Sequence, residues 1–161
     1  MRHPQWYPDW YQGGYPDVEA ILKEYFSQLL TGVTVVSYLE QDYVQRLQDG
    51  EAFLRIARTS GHINGDQNRD EARIQTAALT PSRDDSWELI EFVRQVYDAI
   101  NHRGGLTLGG ALIRQTGEVV GPQLIPEQIR ESRLVPATHD IWIANRRRDI
   151  TDTYPQALAA S

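Results

Sequence analysis

The chain has 161 residues, contains no cysteine and carries a formal net charge of −6. Its length allows one domain with a core of its own. The lack of cysteine excludes disulfides, thiol nucleophiles and thiolate metal sites, and the acidic balance argues against general binding to a phosphate backbone. The apolar runs are too short to span a bilayer, so no membrane partner is expected.

Aromatic side chains crowd the first fifteen residues. Trp6, Tyr7, Trp10 and Tyr11 stand among prolines and glycines, which oppose regular secondary structure. Aromatic rings at this density are rarely left in water. The segment is therefore interpreted either as an arm folded over its own core or as an arm that docks on a neighbouring subunit.

An amphipathic helix is predicted over residues 17–31. Asp17 suits the N-cap position, and Gly32 suits the position just past the helix end. The apolar residues recur three and four positions apart, which places them on one face that we expect to meet the core. This stripe consists of Val18, Ile21, Leu22, Tyr25, Phe26, Leu29 and Leu30.

Three strands are predicted in the next part of the chain. Residues 33–39 are rich in β-branched side chains, and residues 53–59 and 72–79 alternate between two faces. A short helical turn is expected between the first two strands, at residues 43–47. The small or apolar face of the third strand consists of Ala72, Ile74, Thr76 and Ala78.

The polar segment 60–70 joins the second strand to the third and is interpreted as a long, mobile hairpin tip. His62, Asn64, Asp66 and Asn68 are its candidate partner contacts, because this segment has little to bury alone. We expect the segment to be disordered in an isolated subunit and to gain order against a partner.

A calcium site is the alternative interpretation of the same segment. Asp66, Asn68 and Asp70 resemble the start of a calcium loop. Glu71, however, stands where that loop needs glycine, and Ala77 stands where it needs a bidentate glutamate. The sequence therefore favours a contact loop over a calcium site.

A second amphipathic helix is predicted over residues 84–101. Ser82 and the two aspartates that begin the helix supply acceptors and negative charge for its N-terminus. Gly104 and Gly105 end it. Its apolar face consists of Trp87, Ile90, Val93, Tyr97 and Ile100.

The last third of the chain is predicted to form short strands. These lie at residues 106–113 and 119–124, and a charged connector at residues 125–136 leads to a last strand at residues 138–145. A cluster of three arginines follows and is interpreted as a solvated guard of a sheet edge and a candidate partner contact. Its members are Arg146, Arg147 and Arg148.

The sequence shows no convergent catalytic or metal-binding set. The four histidines lie in different elements or loops, and none has the spacing of a paired metal site, so they are interpreted as surface or capping residues. The glycines near residue 105 are not followed by the lysine of a phosphate loop. Neither an enzymatic role nor a cofactor is indicated. The histidines are His3, His62, His102 and His139.

The expected fold class is α+β. Two amphipathic helices are expected on one face of a mainly antiparallel sheet, in the order α-β-β-β-α-β with two further short strands, because each segment has one apolar side to bury. We expect an extended N-terminal arm at residues 1–15, a single domain at residues 16–148 and a C-terminal tail at residues 149–161.

This order of elements resembles that of phage tail terminator proteins. Two segments carry the resemblance: residues 15–30 (YPDVEAILKEYFSQLL), and residues 53–100, which include FLRIARTSG, ARIQTAAL and DDSWELIEFVRQVYDAI. The chain is similar to the version found in long-tailed phages of actinobacteria. The aromatic arm and the C-terminal tail lie outside the resemblance.

The resemblance implies a structural role without a cofactor. Such proteins form a ring, usually a hexamer, on top of a finished tail tube, where the ring ends tube polymerisation and offers a surface to the head connector. DNA passes through the lumen without sequence-specific binding. The implied partners are further copies of the chain, the major tail tube protein and the head-tail connector. The implied location is the top of the tail, in the neck region of the virion, after assembly in the host cytoplasm.

Alternatives remain open at this point. Head-tail connector, head-closure and tail completion proteins of the neck have similar sizes and partly similar folds. A small α+β enzyme or a cellular binding module is an alternative from a different class. Ring formation by the purified protein separates a virion assembly protein from this last class.

Overall fold

The computed structural model describes residues 5–7 and 13–144. Three helices and seven strands lie in this part of the chain, so the fold is α+β, as the sequence predicts. The elements are α1 (Val18–Leu29), β1 (Val33–Val36), α2 (Tyr43–Gln48), β2 (Ala52–Asn64), β3 (Arg69–Thr80), α3 (Arg83–His102), β4 (Leu106–Leu108), β5 (Ala111–Val120), β6 (Ile125–Pro126) and β7 (Arg133–Ala144).

The strands form one sheet in the order β1-β2-β3-β7-β5-β4, and β6 pairs with β7 outside this path. The pairs are antiparallel except for β1 and β2, which run parallel. The parallel pair arises because the segment containing α2 carries the chain back to the end where β1 began. The prediction of a mainly antiparallel sheet is therefore confirmed in part: β1 and β2 make the sheet mixed.

The C-terminal strands differ most from the predicted boundaries and element order. A two-residue turn splits the predicted strand 106–113 into β4 and the start of β5. The predicted charged connector 125–136 contains β6 and the first residues of β7. These residues join the sheet because β3 offers a partner along its whole length, from Arg69 opposite Ala144 to Thr80 opposite Arg133.

Helices α1 and α3 pack on the same face of the sheet, as predicted. Phe26 of α1 and Tyr97 of α3 meet edge to face, with ring centroids 5.6 Å apart. Both belong to the same buried cluster as Ile74 of β3. The Tyr97 hydroxyl lies 3.1 Å from the hydroxyl of Thr76, so the polar end of this buried ring has a hydrogen-bond partner. The predicted apolar stripes thus form the main core.

A second, smaller apolar cluster covers one end of the opposite face. Leu47 of α2 packs with Phe53 of β2 and Leu79 of β3. Phe53 and Leu79 face away from the main core because strand residues alternate between faces. The guanidinium of Arg46 lies over the Phe53 ring, 5.0 Å from its centroid. The helices therefore do not all share one face: α2, which corresponds to the short turn expected at residues 43–47, lies on the other.

The predicted helix caps are present. Asp17 Oδ1 accepts from the backbone N–H of Ala20 at 3.1 Å, and Ser82 Oγ accepts from that of Asp85 at 3.1 Å. Past the end of α3, Gly105 has φ of 112°, and a Cβ there would lie 2.7 Å from a backbone oxygen of β5. Only glycine fits this turn, so the sequence signal for the helix end has a direct steric cause.

The hairpin between β2 and β3 shows that the predicted mobile loop at residues 60–70 is wrong. Strand pairing continues to Asn64 opposite Arg69 and leaves only a short turn. Polar side chains in this stretch find partners within the sheet: Arg58 donates to both carboxylate oxygens of the buried Asp70, at 2.6 and 2.8 Å. Because β7 pairs with the other side of β3, Arg69 and Asp70 lie between two strands, whereas residues 60–64 of β2 pair with β3 on one side only.

Candidate functional site

Five strands lie side by side at the end of the sheet next to the β2–β3 turn. Asn64 lies opposite Arg69, which lies opposite Ala144. Ala144 lies opposite Leu112, which lies opposite Thr107. This row begins in β2 and ends in β4, and at this height no strand in the described ranges pairs with the outer side of either. The sheet thus has two free edges at the same height.

The free edge of β2 follows the point where α1 stops covering it. The backbone N–H of Arg58 points away from β3 and donates to Glu19 Oε2 of α1 at 2.7 Å. A one-residue bulge between Arg58 and Ser60 shifts the alternation, so Gly61 and Ile63 carry the next outward N–H and C=O groups. The Ile63 residue is 58% exposed. The edge is therefore satisfied at Arg58 and open at Ile63.

The free edge of β4 is short. Gly109 and Gly110 join β4 to β5 in a two-residue turn with φ of 54° and 79°, which glycine adopts without strain. In such a hairpin Leu108 and Ala111 bond to each other, so the outward backbone groups at the middle of β4 belong to Thr107. This residue ends the five-strand row.

Beyond β4, a side chain closes the edge of β5. Asn101 of α3 accepts from the backbone N–H of Thr116 through Oδ1 at 2.7 Å, and its Nδ2 donates to the carbonyl of Thr116. The amide thereby reproduces the pairing that a further strand would give. The outer backbone groups of β5 are therefore satisfied at Thr116, whereas those of β4 are open at Thr107.

Four of the predicted contact residues lie at the open end of the sheet. His62 and Asn64 are in β2, and Asp66 and Asn68 are in the turn. Asn64 Nδ2 donates to Glu71 Oε1 at 3.1 Å, and His62 Nε2 lies 3.3 Å from Glu71 Oε2. Asn68 has φ of 49°, which asparagine tolerates better than most residues. The structure therefore brings these four residues together.

Charged side chains on the outer face of this end are paired. Arg73 forms a two-point ion pair with Asp140 at 2.8 and 3.0 Å. Arg69 donates to Glu71 at 2.7 Å, and its guanidinium lies 3.6 Å from the centroid of the Trp142 ring. The hydrogen bond from Arg69 lowers the pKa of Glu71. This face presents matched charges rather than a basic surface.

The other predicted contacts are only partly described. Trp6 is 74% exposed, and its ring centroid lies 4.2 Å from that of Tyr7. Trp10 and Tyr11 lie outside the described residues, and so do Arg146, Arg147 and Arg148. The docking of the arm and of the arginine cluster on a partner therefore stays a prediction.

A polar cleft of about 370 Å³ lies between α3 and β5. The sequence did not indicate it, because its two walls converge only in the folded chain. The residues that line it are Glu91, Arg94, Gln95, Tyr97, Asp98, Asn101, Thr116, Glu118 and His139.

Arg94 forms the centre of one wall of the cleft. It donates to Glu118 at 2.5 and 2.9 Å and to Glu91 at 2.5 Å. The hydrogen bond to Glu118 raises the pKa of Arg94, and the same bond lowers the pKa of Glu118. The Arg94 guanidinium and the Glu118 carboxylate are therefore both charged at neutral pH. Because a single arginine is shared by two acids, acceptor capacity remains for a further donor.

His139 lies at the floor of the cleft. It is only 3% exposed, and its ring centroid is 4.6 Å from that of Tyr97. Nε2 lies 3.7 Å from Glu118 Oε2, while Nδ1 is buried and has no hydrogen-bond partner in the described part of the chain. Burial lowers the pKa of His139 to about 4. The interpretation of this histidine as a surface or capping residue is wrong, and its alternation with Ile141 and Ile143 was the signal that it faces the core.

Comparison with known families identifies the family of this chain, which the fold alone does not. The family model for phage tail termination proteins matches residues 14–149. The chain belongs to this family. No curated individual protein matches it. The phage tail terminator resemblance is therefore confirmed at the level of the family, and the match extends past residue 100, where the segments that carry the resemblance end.

A phage tail termination protein is a structural component of the virion tail rather than a member of an enzyme family. In residues 5–7 and 13–144, no three histidine, aspartate or glutamate side chains are placed to share a metal ion. The helices in the same ranges include none that is long and apolar enough to cross a membrane. The candidate functional features of this protein are the two open sheet edges and the polar cleft.

Acidification is expected to destabilise this phage tail termination protein through His139. The pKa is about 4 in the fold and 6.5 for an unperturbed histidine, so the unfolded chain binds more protons between these values. The free energy of unfolding therefore falls as the pH drops from 6.5 to 4, by at most about 3 kcal/mol from this group. Urea unfolding at several pH values measures the slope.

The matched variant for this test is His139→Gln, which cannot titrate. Acidic residues with lowered pKa, such as Glu118, also lose stability at low pH, so only the difference between wild type and variant reports on His139. The variant should show a flatter dependence between pH 6.5 and 4. Equal slopes in the two proteins would show that the histidine is hydrated in solution.

Proposed function

We propose that this protein assembles head to tail into a closed ring that caps the tail tube, ends tube growth and joins the tail to the head connector. Family membership supports a role in tail termination. The observation that carries the ring is the pair of open edges in β2 and β4, which end the same five-strand row. Two different faces on each subunit are what a closing, head-to-tail contact requires.

The strand directions suit such a contact. Each of the four steps from β2 to β3, β7, β5 and β4 is antiparallel, so β2 and β4 run in the same direction. Rotation about a ring axis along the strands keeps that direction, so β4 of one copy can lie parallel to β2 of the next. The outward groups of Thr107 then face those of Gly61 and Ile63, and the backbone groups of both edges are satisfied.

Closure of the ring explains termination. Once both edges of every subunit are paired, only the top and bottom of the ring remain free. One of these surfaces binds the end of the tube, and the other does not match a further tube subunit, so growth stops. We propose a hexamer, as the resemblance implies, of the type made by long-tailed phages of actinobacteria. The turn with Asp66 and Asn68 projects from the open end and is proposed as a contact to the tube or to an adjacent copy.

The substitution Ile63→Pro is expected to prevent ring assembly without unfolding the subunit. Proline removes an outward N–H from the edge of β2, and its ring occupies the side where a new strand would pair. The N–H of Ile63 does not bond to β3, so the hairpin keeps its own ladder. Analytical ultracentrifugation should show a ring for the wild type and a monomer for the variant, with melting temperatures within a few degrees of each other.

The control is Ile63→Ala, which removes the same exposed side chain and keeps the N–H. It should assemble, with weaker association at most. If Ile63→Pro forms rings as well as the wild type does, the sheet edges are not the contact. If the wild type stays a monomer both alone and on tail tubes, the ring itself is rejected.

A further inference from the structure

We infer that Lys23 of one subunit inserts into the polar cleft between α3 and β5 of the adjacent subunit. This inference rests on the proposed ring and names a second contact within it. It explains two features of the subunit, an acceptor-rich cleft and a lysine that forms no ion pair with any described residue.

The cleft has the chemistry of a site for a cationic donor. Glu91, Asp98 and Glu118 contribute three carboxylates, and Arg94 contributes one positive charge, which leaves a balance of −2. His139 adds a buried Nδ1 with no partner among the described residues: with the ring proton on Nε2 toward Glu118, a lone pair remains on Nδ1. Carboxylates alone would be an ordinary solvated cluster. The imidazole at the floor is buried, and its Nδ1 has no partner among the described residues, so this cleft differs from a solvated carboxylate cluster.

Lys23 is the single lysine of the chain. It is partly exposed on α1 and forms no ion pair with any described residue. It lies one helical turn after Glu19, on the same side of α1, and Glu19 contacts the outer edge of β2 at Arg58. Ile21, on the opposite side, faces the turn between β4 and β5 of its own subunit. Lys23 is therefore directed toward the β2 edge and away from its own cleft.

Lys23 and the cleft lie within about one helical turn of the same height in the sheet. Arg58 lies opposite Ile74, which lies opposite His139. His139 lies opposite Glu118 in β5, beyond the end of β4. One row thus runs from the edge that Glu19 contacts to the floor and wall of the cleft. Lys23 is about 6 Å further along α1, within reach of its own side chain.

When β4 of one subunit pairs with β2 of the next, the cleft of the first subunit comes close to Lys23 of the second. The cleft lies between α3 and β5, and α1 lies over β1 and β2 on the same face of the sheet. The α1 helix of the next copy is therefore the element that faces the cleft. An ammonium group supplies three donors to an acidic site that holds one shared guanidinium. A second copy of the chain is thus favoured over an unrelated basic partner, because the proposed contact between β4 and β2 itself places the positive charge of Lys23 beside the cleft.

Zero-length cross-linking tests whether Lys23 touches the carboxylates of the cleft. A carbodiimide condenses an amine with a carboxylate only when the two touch, and Lys23 and the chain terminus are the amines available. Isotopically light and heavy protein would be mixed as monomers, assembled and cross-linked, and digested peptides analysed by mass spectrometry. We expect Lys23 joined to Glu91, Asp98 or Glu118, with mixed light–heavy pairs that prove a link between copies.

Two substitutions separate charge from reactivity. Lys23→Arg keeps the positive charge and removes the amine, so rings should form normally and the cross-link should disappear. Lys23→Gln removes the charge and should raise the concentration needed for assembly on the order of tenfold. Lys23 is partly exposed on α1, so neither substitution should change the melting temperature of the monomer.

The outcomes distinguish this contact from the ring itself. Rings that show no link from Lys23 to the cleft, or only light–light and heavy–heavy links, would overturn the inference and leave the ring intact. Normal assembly of Lys23→Gln would do the same. A wild type that sediments only as a monomer would reject the proposed function, and the contact would fail with it.

Discussion

Replacing Ile90 by aspartate is expected to abolish folding. Ile90 is fully buried in the main core, on the face of α3 that meets the sheet. Burying an unpaired carboxylate costs several kcal/mol, which is comparable to the whole stability of a small domain. The variant should lack a cooperative thermal transition by circular dichroism. Val93→Asp, one turn further along the same face, should behave in the same way.

A matched control lies two residues away on the same helix. Phe92 is 38% exposed, so Phe92→Asp removes a large apolar side chain without burying the new charge. This variant should melt cooperatively, with a loss of stability near or below about 1 kcal/mol. A soluble, cooperatively melting Ile90→Asp protein would show that α3 does not pack on the sheet through this face.

The helices were the most predictable part of this fold because their signals are local. The apolar period, the side chains of Asp17 and Ser82 at the helix starts and the glycines after α3 all act within a few residues. The predicted and observed helix ends therefore differ by at most two residues. The alternation of Ala72, Ile74, Thr76 and Ala78 likewise gave the correct inner face of β3, because side-chain direction in a strand depends only on position.

The errors concern properties that no local pattern encodes. The polar stretch at residues 60–70 looks like a loop, yet it forms strands because β3 has a partner on each side and Asp70 meets Arg58. The direction of β1 relative to β2 depends on where α2 returns the chain. Strand order is also nonlocal: β7 enters between β3 and β5, and this insertion creates the free edges.

The candidate contact sites also include some that the sequence indicated and some that only the folded chain reveals. Sequence composition pointed to His62, Asn64, Asp66 and Asn68, and the fold places them together at the open end of the sheet. It could not indicate the cleft, because Arg94 and Glu118 meet only when α3 folds across β5. Nor could it indicate the open edges, since an unpaired strand is defined by what is missing beside it.

Deletion of this gene from a phage is expected to produce tails of abnormal length or tubes that cannot join heads. In the proposed role the ring covers the tube end, so without it that end keeps a surface that accepts further subunits and polymerisation has no stop. Electron microscopy of lysates would measure the length distribution and the fraction of tails attached to heads. Supplying the wild-type gene in trans should restore both, and supplying the Ile63→Pro gene should restore neither.

The two readouts separate capping from joining. Normal-length tails that remain unattached would show that another protein ends the tube, which favours a neck connector role for this chain. Normal-length, attached tails would exclude both roles. Overlong tubes that are rescued by Lys23→Arg but poorly by Lys23→Gln would link termination to a charge between subunits. Such a result would connect a single lysine, through ring closure, to the point at which the tube stops growing.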